Sequence, residues 1–294
     1  MYPSRLQIIV VLWLCAVQAI SAPLKVACIG DSITEGSGLG NPTTESYPAK
    51  LQRLLGTNYL VRNFGVSGRT LLRKGDFPYW SEAALSQSRD WNPDIVTIML
   101  GTNDAKPYNW KYGTNFLKDY TDLIAIYTNR PSHPRVLLCT PCPAFGVGAF
   151  DIKPGTIATN ITPAVHQLAA ELGHEIIDLQ AALPNHRELF PDNIHPNTKG
   201  TTVLAALFQT ALIGSYSGGT APGLSVGRDS STRAVLRWPT ESAGWVLQST
   251  PSLRGTNTAW TVVEQPAVND GSLVRVTNSI STPPRFYRLW NPSF

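Results

Sequence analysis

The 294-residue sequence has four cysteines, two methionines and 15% charged residues, no block of like charge, and no long apolar run after its first residues. Each scarcity excludes something. With 24 basic against 20 acidic residues spread along the chain, a formal net charge of +4 comes without a basic stripe or an aromatic RNA-binding motif, so no nucleic-acid partner is expected. Too few cysteines are present for a disulfide scaffold. Cys139 and Cys142 form a C-x-x-C in "LLCTPCPAF", but no second Cys or His pair with metal spacing accompanies it, and it follows a strand rather than opening a helix. Buried thiols are the first expectation there and a local disulfide the second; Cys28 reads as core. The G-x-S-x-G elbow of α/β-hydrolases is missing as well. No internal repeat or low-complexity tract is evident.

What is present begins with a targeting segment. Arg5 supplies a positive n-region, Leu6 to Val17 an apolar core too short to span a bilayer comfortably, and "AISA" small residues for cleavage. Residues 1–21 are therefore expected to be a signal peptide, and the mature protein to be secreted or periplasmic without stable membrane insertion. The remainder, 43% hydrophobic over the whole chain, is large enough for one substantial core and a smaller module.

Short, apolar, mostly β-branched stretches recur at 24–30 (LKVACIG), 59–65 (YLVRNFG), 94–101 (DIVTIMLG), 135–140 (RVLLCT) and 174–179 (HEIIDL). Segments with apolar residues at three and four spacing lie between and after them, near Tyr47 to Leu55, Thr114 to Thr128, Gly155 to Leu172 and Asn197 to Ile213. This alternation predicts an α/β fold, a flavodoxin-like doubly wound parallel sheet in an α/β/α sandwich over residues 22–213. "GSYSGGTAPG" (214–223) reads as a linker. Beyond it, "RAVLRW", "GWVLQST", "AWTVVE", "SLVRVTN" and "RFYRLW" predict a small all-β, sandwich-like module over 224–294. A chain ending near Gly214 is expected to fold by itself.

In an open parallel sheet, whatever follows the strands gathers at one edge. Strand one is followed by Ser32 in "IGDSITEG", strand two by Gly68 in "NFGVSG", strand three by Asn103 in "GTND", and strand five by Asp192 and His195 in "PDNIHP". These are the parts of acyl transfer by an activated hydroxyl. Ser32 needs a neutral imidazole to take its proton, His195 supplies it, and Asp192, three residues away, can fix the imidazole tautomer. The backbone N–H groups of Ser32 and Gly68 and the Asn103 amide are candidates for the oxyanion hole. Each residue also has a plainer reading: Ser32 as a helix cap, Gly68 as a turn, Asp192 as the cap of the turn at His195. Asp31 and Asp104 are expected to bond to backbone and fix two loops. His133, His166, His174 and His186 lack comparable partners in the sequence and read as surface or structural. Asn160 opens an N-x-T sequon. Nothing calls for a metal or cofactor.

In order, "GDSITEG", "NFGVSG", "GTND" and "DNIHP" resemble the four blocks of the SGNH, or GDSL-like, hydrolase superfamily, over most of residues 24–213. The resemblance implies Ser32 as nucleophile, Asp192 and His195 as its triad partners, and Gly68 and Asn103 in the oxyanion hole. "LGTNDAKPYNW" resembles secreted bacterial carbohydrate or sialate acetylesterases. Tyr79, Trp80, Tyr108, Asn109 and Trp110 are expected near the same edge, as a sugar-stacking rim or as loop packing. Trp238, Trp245, Trp260 and Trp290 mostly occupy strand positions, where core packing is the default and an aromatic platform the alternative. The expected activity is removal of small acyl groups, foremost acetyl, from carbohydrate in a shallow cleft. Lysophospholipase or thioesterase activity is the enzymatic alternative, and a carbohydrate-binding protein with an inactive hydrolase domain the non-enzymatic one.

Overall fold

Leu24–Gly30 form β1, and Tyr59–Gly65 (β2), Ile95–Met99 (β3), Arg135–Cys139 (β4) and Glu175–Ile177 (β5) pair with it into one parallel sheet of order β2-β1-β3-β4-β5. The computed structural model describes residues 22–146, 149–213, 222–230, 232–240, 245–252, 258–263, 265, 267–269, 272–280 and 285–290. The expected signal peptide, and residues 214–221 of the expected linker, lie outside the described residues. Among the described residues no helix is long and apolar enough to cross a membrane.

Strand β1 shows why these runs are apolar at every position. Val26 and Cys28 face one core, with Ile95, Met99, Leu137 and Cys139 beside them, while Ala27 and Ile29 face a second, with Val96, Ile98 and Leu138. Both faces are covered, so alternation has no polar phase. Helices α1 (Ser32–Glu35), α2 (Tyr47–Leu55), α3 (Ala83–Asp90), α4 (Phe116–Thr128), α5 (Thr162–Leu172) and α6 (Thr198–Ile213) account for most of the cover. α2 and α6 bury Tyr47, Leu51, Leu55, Val203, Leu204 and Phe208 on the first face. α3, α4 and α5 bury Leu85, Phe116, Tyr120, Val165 and Leu168 on the second. The Lys50 ammonium, buried on α2, donates to Thr201 Oγ1 and Thr202 Oγ1 (3.0 and 2.8 Å), tying α2 to the start of α6.

Register brings three strand ends to one line: Gly30 lies opposite Gly65 on one side and Met99 on the other. Strand order reverses between β1 and β3, so the segments leaving them diverge around a crevice. Ser32, the turn at Gly68 and Asn103 all follow from that edge.

The C-terminal segment folds into two antiparallel sheets, β10-β11-β7-β6 and β12-β8-β9. Their strands are Ser225–Arg228 (β6), Arg233–Pro239 (β7), Val246–Thr250 (β8), Thr261–Val262 (β9), Val268–Asn269 (β10), Leu273–Ser279 (β11) and Phe286–Trp290 (β12). Leu236, Trp238, Leu247, Val263, Val274 and Val276 form the core between them. Val246 and Val262, however, join the apolar cluster of α2 and α6, and the Asn269 amide donates to the Leu54 carbonyl at the end of α2 (2.6 Å). Trp238 is core. Trp290 packs half-buried on the same cluster of α2 and α6 with its ring 5.6 Å from that of His186, and Arg288 lies 4.5 Å over the Trp260 ring. The module therefore shares apolar surface with the first domain, which a cut near Gly214 would expose to water.

All three described cysteines are free and buried. Burial pushes the Cys28 thiol up to about 12 and raises Cys139 and Cys142 as well, so none is poised as a nucleophile.

Candidate active site

Asp31 is the first residue past β1, and it caps the short helix that follows. Its Oδ1 accepts from Ile33 N at 3.0 Å. This leaves Ser32 at the first helical position, 5% exposed, with its N–H making no hydrogen bond among the described residues. The plainer reading of Ser32 as the cap thus gives way: Asp31 does that work.

Ser32 Oγ stands 2.9 Å from His195 Nε2, and His195 Nδ1 stands 2.7 Å from Asp192 Oδ2. The second half of this chain is built within one turn. Asp192 Oδ1 accepts from the backbone N–H groups of Ile194 (3.0 Å) and His195 (2.6 Å), while Asn193 takes a left-handed conformation, φ 71°, that Asn tolerates. Asp192 thus makes two kinds of contact at once, one oxygen capping the turn and the other meeting the imidazole. Burial alone raises its pKa, but the His195 and Ile194 N–H groups and the imidazole outweigh burial and hold the carboxyl below the usual carboxylate range. Asn197 then accepts from Gly200 N (2.9 Å) and starts α6, which fixes the loop from behind.

The turn after β2 passes through Gly68 at φ 78°, where an added Cβ would meet nothing within 4 Å. Backbone conformation, rather than space, is what calls for glycine here. The Gly68 N–H also makes no hydrogen bond among the described residues. Asn103 begins the turn after β3, is 4% exposed, and its Nδ2 donates to Arg69 O at 3.1 Å, which spends one of two N–H groups on the Gly68 loop and leaves the other.

Two buried groups position these donors. Asp104 accepts from Leu71 N and Leu72 N (2.9 and 2.8 Å), locking the β2 loop against the β3 loop as expected. Burial pushes its carboxyl up to about 7 and that of Asp31 up to about 6. Asn109 departs from the expected rim: it is 1% exposed, its Nδ2 donates to Asn103 O (2.9 Å), and its Oδ1 accepts from Asp76 N (2.9 Å). An amide saturated in this way holds Asn103 in place and has no face for sugar.

The aromatic rim is corrected similarly. Tyr79 is fully buried with its hydroxyl on Phe64 O. Trp80 donates Nε1–H to Leu71 O, and the Arg73 guanidinium lies 3.5 Å over its ring. Trp110 packs edge-on against Phe116 with centroids 5.5 Å apart. Of the five, Tyr108 is the most open at 45% exposed, Trp80 and Trp110 are half-buried, and Tyr79 and Asn109 are buried. Buried hydrogen-bond demand and interior packing claim the other four.

Two of the remaining histidines have carboxylate partners that the sequence did not suggest: His166 meets Asp178 at 2.7 Å and His186 meets Glu188 at 3.0 Å. The sequence also gave no sign of Phe150, whose ring lies 5.4 Å from that of His195.

Comparison with known proteins agrees with this architecture. Residues 28–203 match the family described as GDSL-like Lipase/Acylhydrolase. An acetylxylan esterase of Xylanibacter ruminicola is 41% identical over a 217-residue alignment covering 66% of this chain and 45% of that protein, so the match spans less than half of the relative's length. A putative arylesterase structure from Agrobacterium tumefaciens superposes with TM-score 0.51 and 25% identity, covering 64% of this chain and 100% of its own. The structure of an acetyl xylan esterase, AlAXEase, shares the fold at TM-score 0.51 and 23% identity, over 64% of this chain and 100% of its own.

Proposed function

The chain belongs to the GDSL-like lipase/acylhydrolase family, and on that premise we propose that it is a secreted serine esterase removing short acyl groups, foremost acetyl, from carbohydrate. The observation that carries the reading is the continuous chain from Ser32 Oγ through both imidazole nitrogens to Asp192, 2.9 and 2.7 Å. The relative that acts on acetylxylan supports the choice of substrate, and the expected leader supports export.

The proposed reaction uses only groups already described. Ser32 Oγ attacks the ester carbonyl carbon while His195 Nε2 takes its proton, and the Asp192 carboxylate stabilises the imidazolium through Nδ1–H. Negative charge on the carbonyl oxygen falls to the Ser32 and Gly68 N–H groups and the remaining Asn103 N–H. Collapse breaks the bond to the sugar oxygen, which leaves with the proton from Nε2. Water then repeats the sequence on the acetyl-serine, releasing acetate and restoring Ser32 and neutral His195.

Asn103→Ala should cost about 3 kcal/mol of transition-state stabilisation, read as a fall of about two orders of magnitude in kcat with KM little altered. A change confined to KM would instead assign Asn103 to ground-state binding.

The substrate reading is tested on the full chain with an acyl series, acetylated xylo-oligosaccharide and a lysophospholipid. Acetyl esters should exceed octanoyl esters in kcat/KM, because the about 0.8 kcal/mol that each extra methylene can contribute is gained only where a pocket buries it, and the expected shallow cleft provides none. Acetate should be released from the oligosaccharide, and a serine-directed phosphonate should abolish all turnover. Faster octanoyl and lysolipid hydrolysis, with no acetate from any glycan, overturns the carbohydrate reading in favour of a lipid acylhydrolase.

A further inference from the structure

Phe150 is in an unusual position for an apolar side chain. It is 59% exposed, so it adds little to the core, yet its backbone sits in the left-handed region at φ 53°, ψ 31°, and Asp151 follows at φ 61°. Two consecutive non-glycine residues in that region are disfavoured, each by roughly 1–3 kcal/mol, and persist only where their surroundings impose them.

The surroundings do impose them. On the N-terminal side, Phe145 N donates to Asn193 O (3.0 Å) and the Phe145 ring packs 5.4 Å from Phe190, both in the segment that carries Asp192 and His195. On the C-terminal side, Ile152 is 2% exposed in the second core and Lys153 N donates to Ala105 O (3.3 Å), beside Asn103. The connection after β4 is thus pinned at one end to the His195 loop and at the other to the Asn103 loop, with Phe150 between. Its ring meets His195 edge to face at 71°. The loop after α1 also reaches His195 but brings no side chain there at Gly38, which stands at φ 83° with its missing Cβ 3.9 Å from that of His195.

An exposed, flat, apolar face held beside the base is placed for a ligand. In the reaction proposed above, His195 hands its proton to the oxygen that leaves, so the group bound to that oxygen passes over the imidazole. For a carbohydrate ester that group is a sugar ring, whose C–H face complements the electron-rich face of an aromatic ring. We infer that Phe150 is the sugar-binding platform on the leaving-group side of the cleft and determines preference for carbohydrate over simple alkyl esters; this rests on the carbohydrate esterase reading.

The experiment compares acetate release from acetylated xylotriose with that from ethyl acetate, whose alcohol is too small to span the ring. Phe150→Ala should lower the ratio of kcat/KM values, oligosaccharide over ethyl acetate, by about 5- to 30-fold, chiefly through KM of the oligosaccharide. Phe150→Trp should restore the ratio, and Phe150→Leu, apolar but not flat, should not. Phe150→Gly should lower the ratio too, without lowering Tm, because glycine accepts the left-handed conformation. An equal loss on both esters would make the ring a support for His195 and overturn the inference, as would an unchanged ratio or a marked fall in Tm for Phe150→Gly. A wild-type protein that cleaves ethyl acetate but releases nothing from the oligosaccharide refutes the carbohydrate reading itself, and the platform with it.

Discussion

Ser32→Ala and His195→Ala are each expected to lower kcat by about four to six orders of magnitude, and the double variant by little more than either. The reason lies in the 2.9 Å contact between Oγ and Nε2. Without His195 the hydroxyl has no acceptor for its proton, and without Ser32 the imidazole has nothing to activate but water. Each deletion therefore removes the same step. Residual turnover should come from the oxyanion donors and from binding, which neither substitution touches. Single-turnover kinetics on an activated acetyl ester would read the effect directly, since the burst of alcohol from acyl-enzyme formation should vanish in both single variants. Strictly additive losses would show two independent contributions and break the proposed unit.

Asp192→Asn comes next in size, at about 10²- to 10⁴-fold in kcat. The geometry explains why an isosteric change should be so costly. Oδ1 is committed to the N–H groups of Ile194 and His195, so an asparagine keeps its carbonyl oxygen there and presents its NH₂ to His195 Nδ1. The imidazole must then offer a lone pair at Nδ1 and carry its proton on Nε2, facing Ser32. That tautomer cannot accept the Ser32 proton. Because the turn keeps both backbone bonds, Tm should move little, whereas Asp192→Ala should also lose a cap and about 0.5–2 kcal/mol of stability. Asparagine activity within tenfold of the parent would show that Asp192 does not set the tautomer.

Particular residues show which features were legible in the sequence. The five parallel strands fall within two residues of the apolar runs at each end, because a strand covered on both faces has no choice but to be apolar, as Ala27 and Cys28 on opposite cores illustrate. In the β module, β6 (SVGR) and the two-residue β10 escaped, since their pairing comes from neighbouring strands rather than from their own composition. That Ser32, His195 and Asp192 would meet was legible because strand ends converge by topology. Asn109, Tyr79 and Phe150 were not. Whether an aromatic or amide next to a cleft faces it depends on packing and on φ, and neither leaves a local pattern: Asn109 is spent on Asn103 O, and Phe150 reaches His195 from 45 positions away.

The glycines that close the first strands bear on how such a cleft can change over generations. An added Cβ at Gly30 would stand 2.0 Å from Thr34 Oγ1 and 2.9 Å from Met99 O, and at Gly65 it would stand 2.2 Å from the backbone nitrogen of Glu35. Gly65 meets main chain, which has nowhere to go, so the helix bearing Ser32 is seated on the sheet by the absence of matter. A saturation library at 30 and 65 should accordingly return glycine among active clones. Exposed positions such as Tyr108 and Phe150 meet no such limit and can change without disturbing the seat of the nucleophile, whereas Asn109 and Ile152 in the same connections are buried and committed.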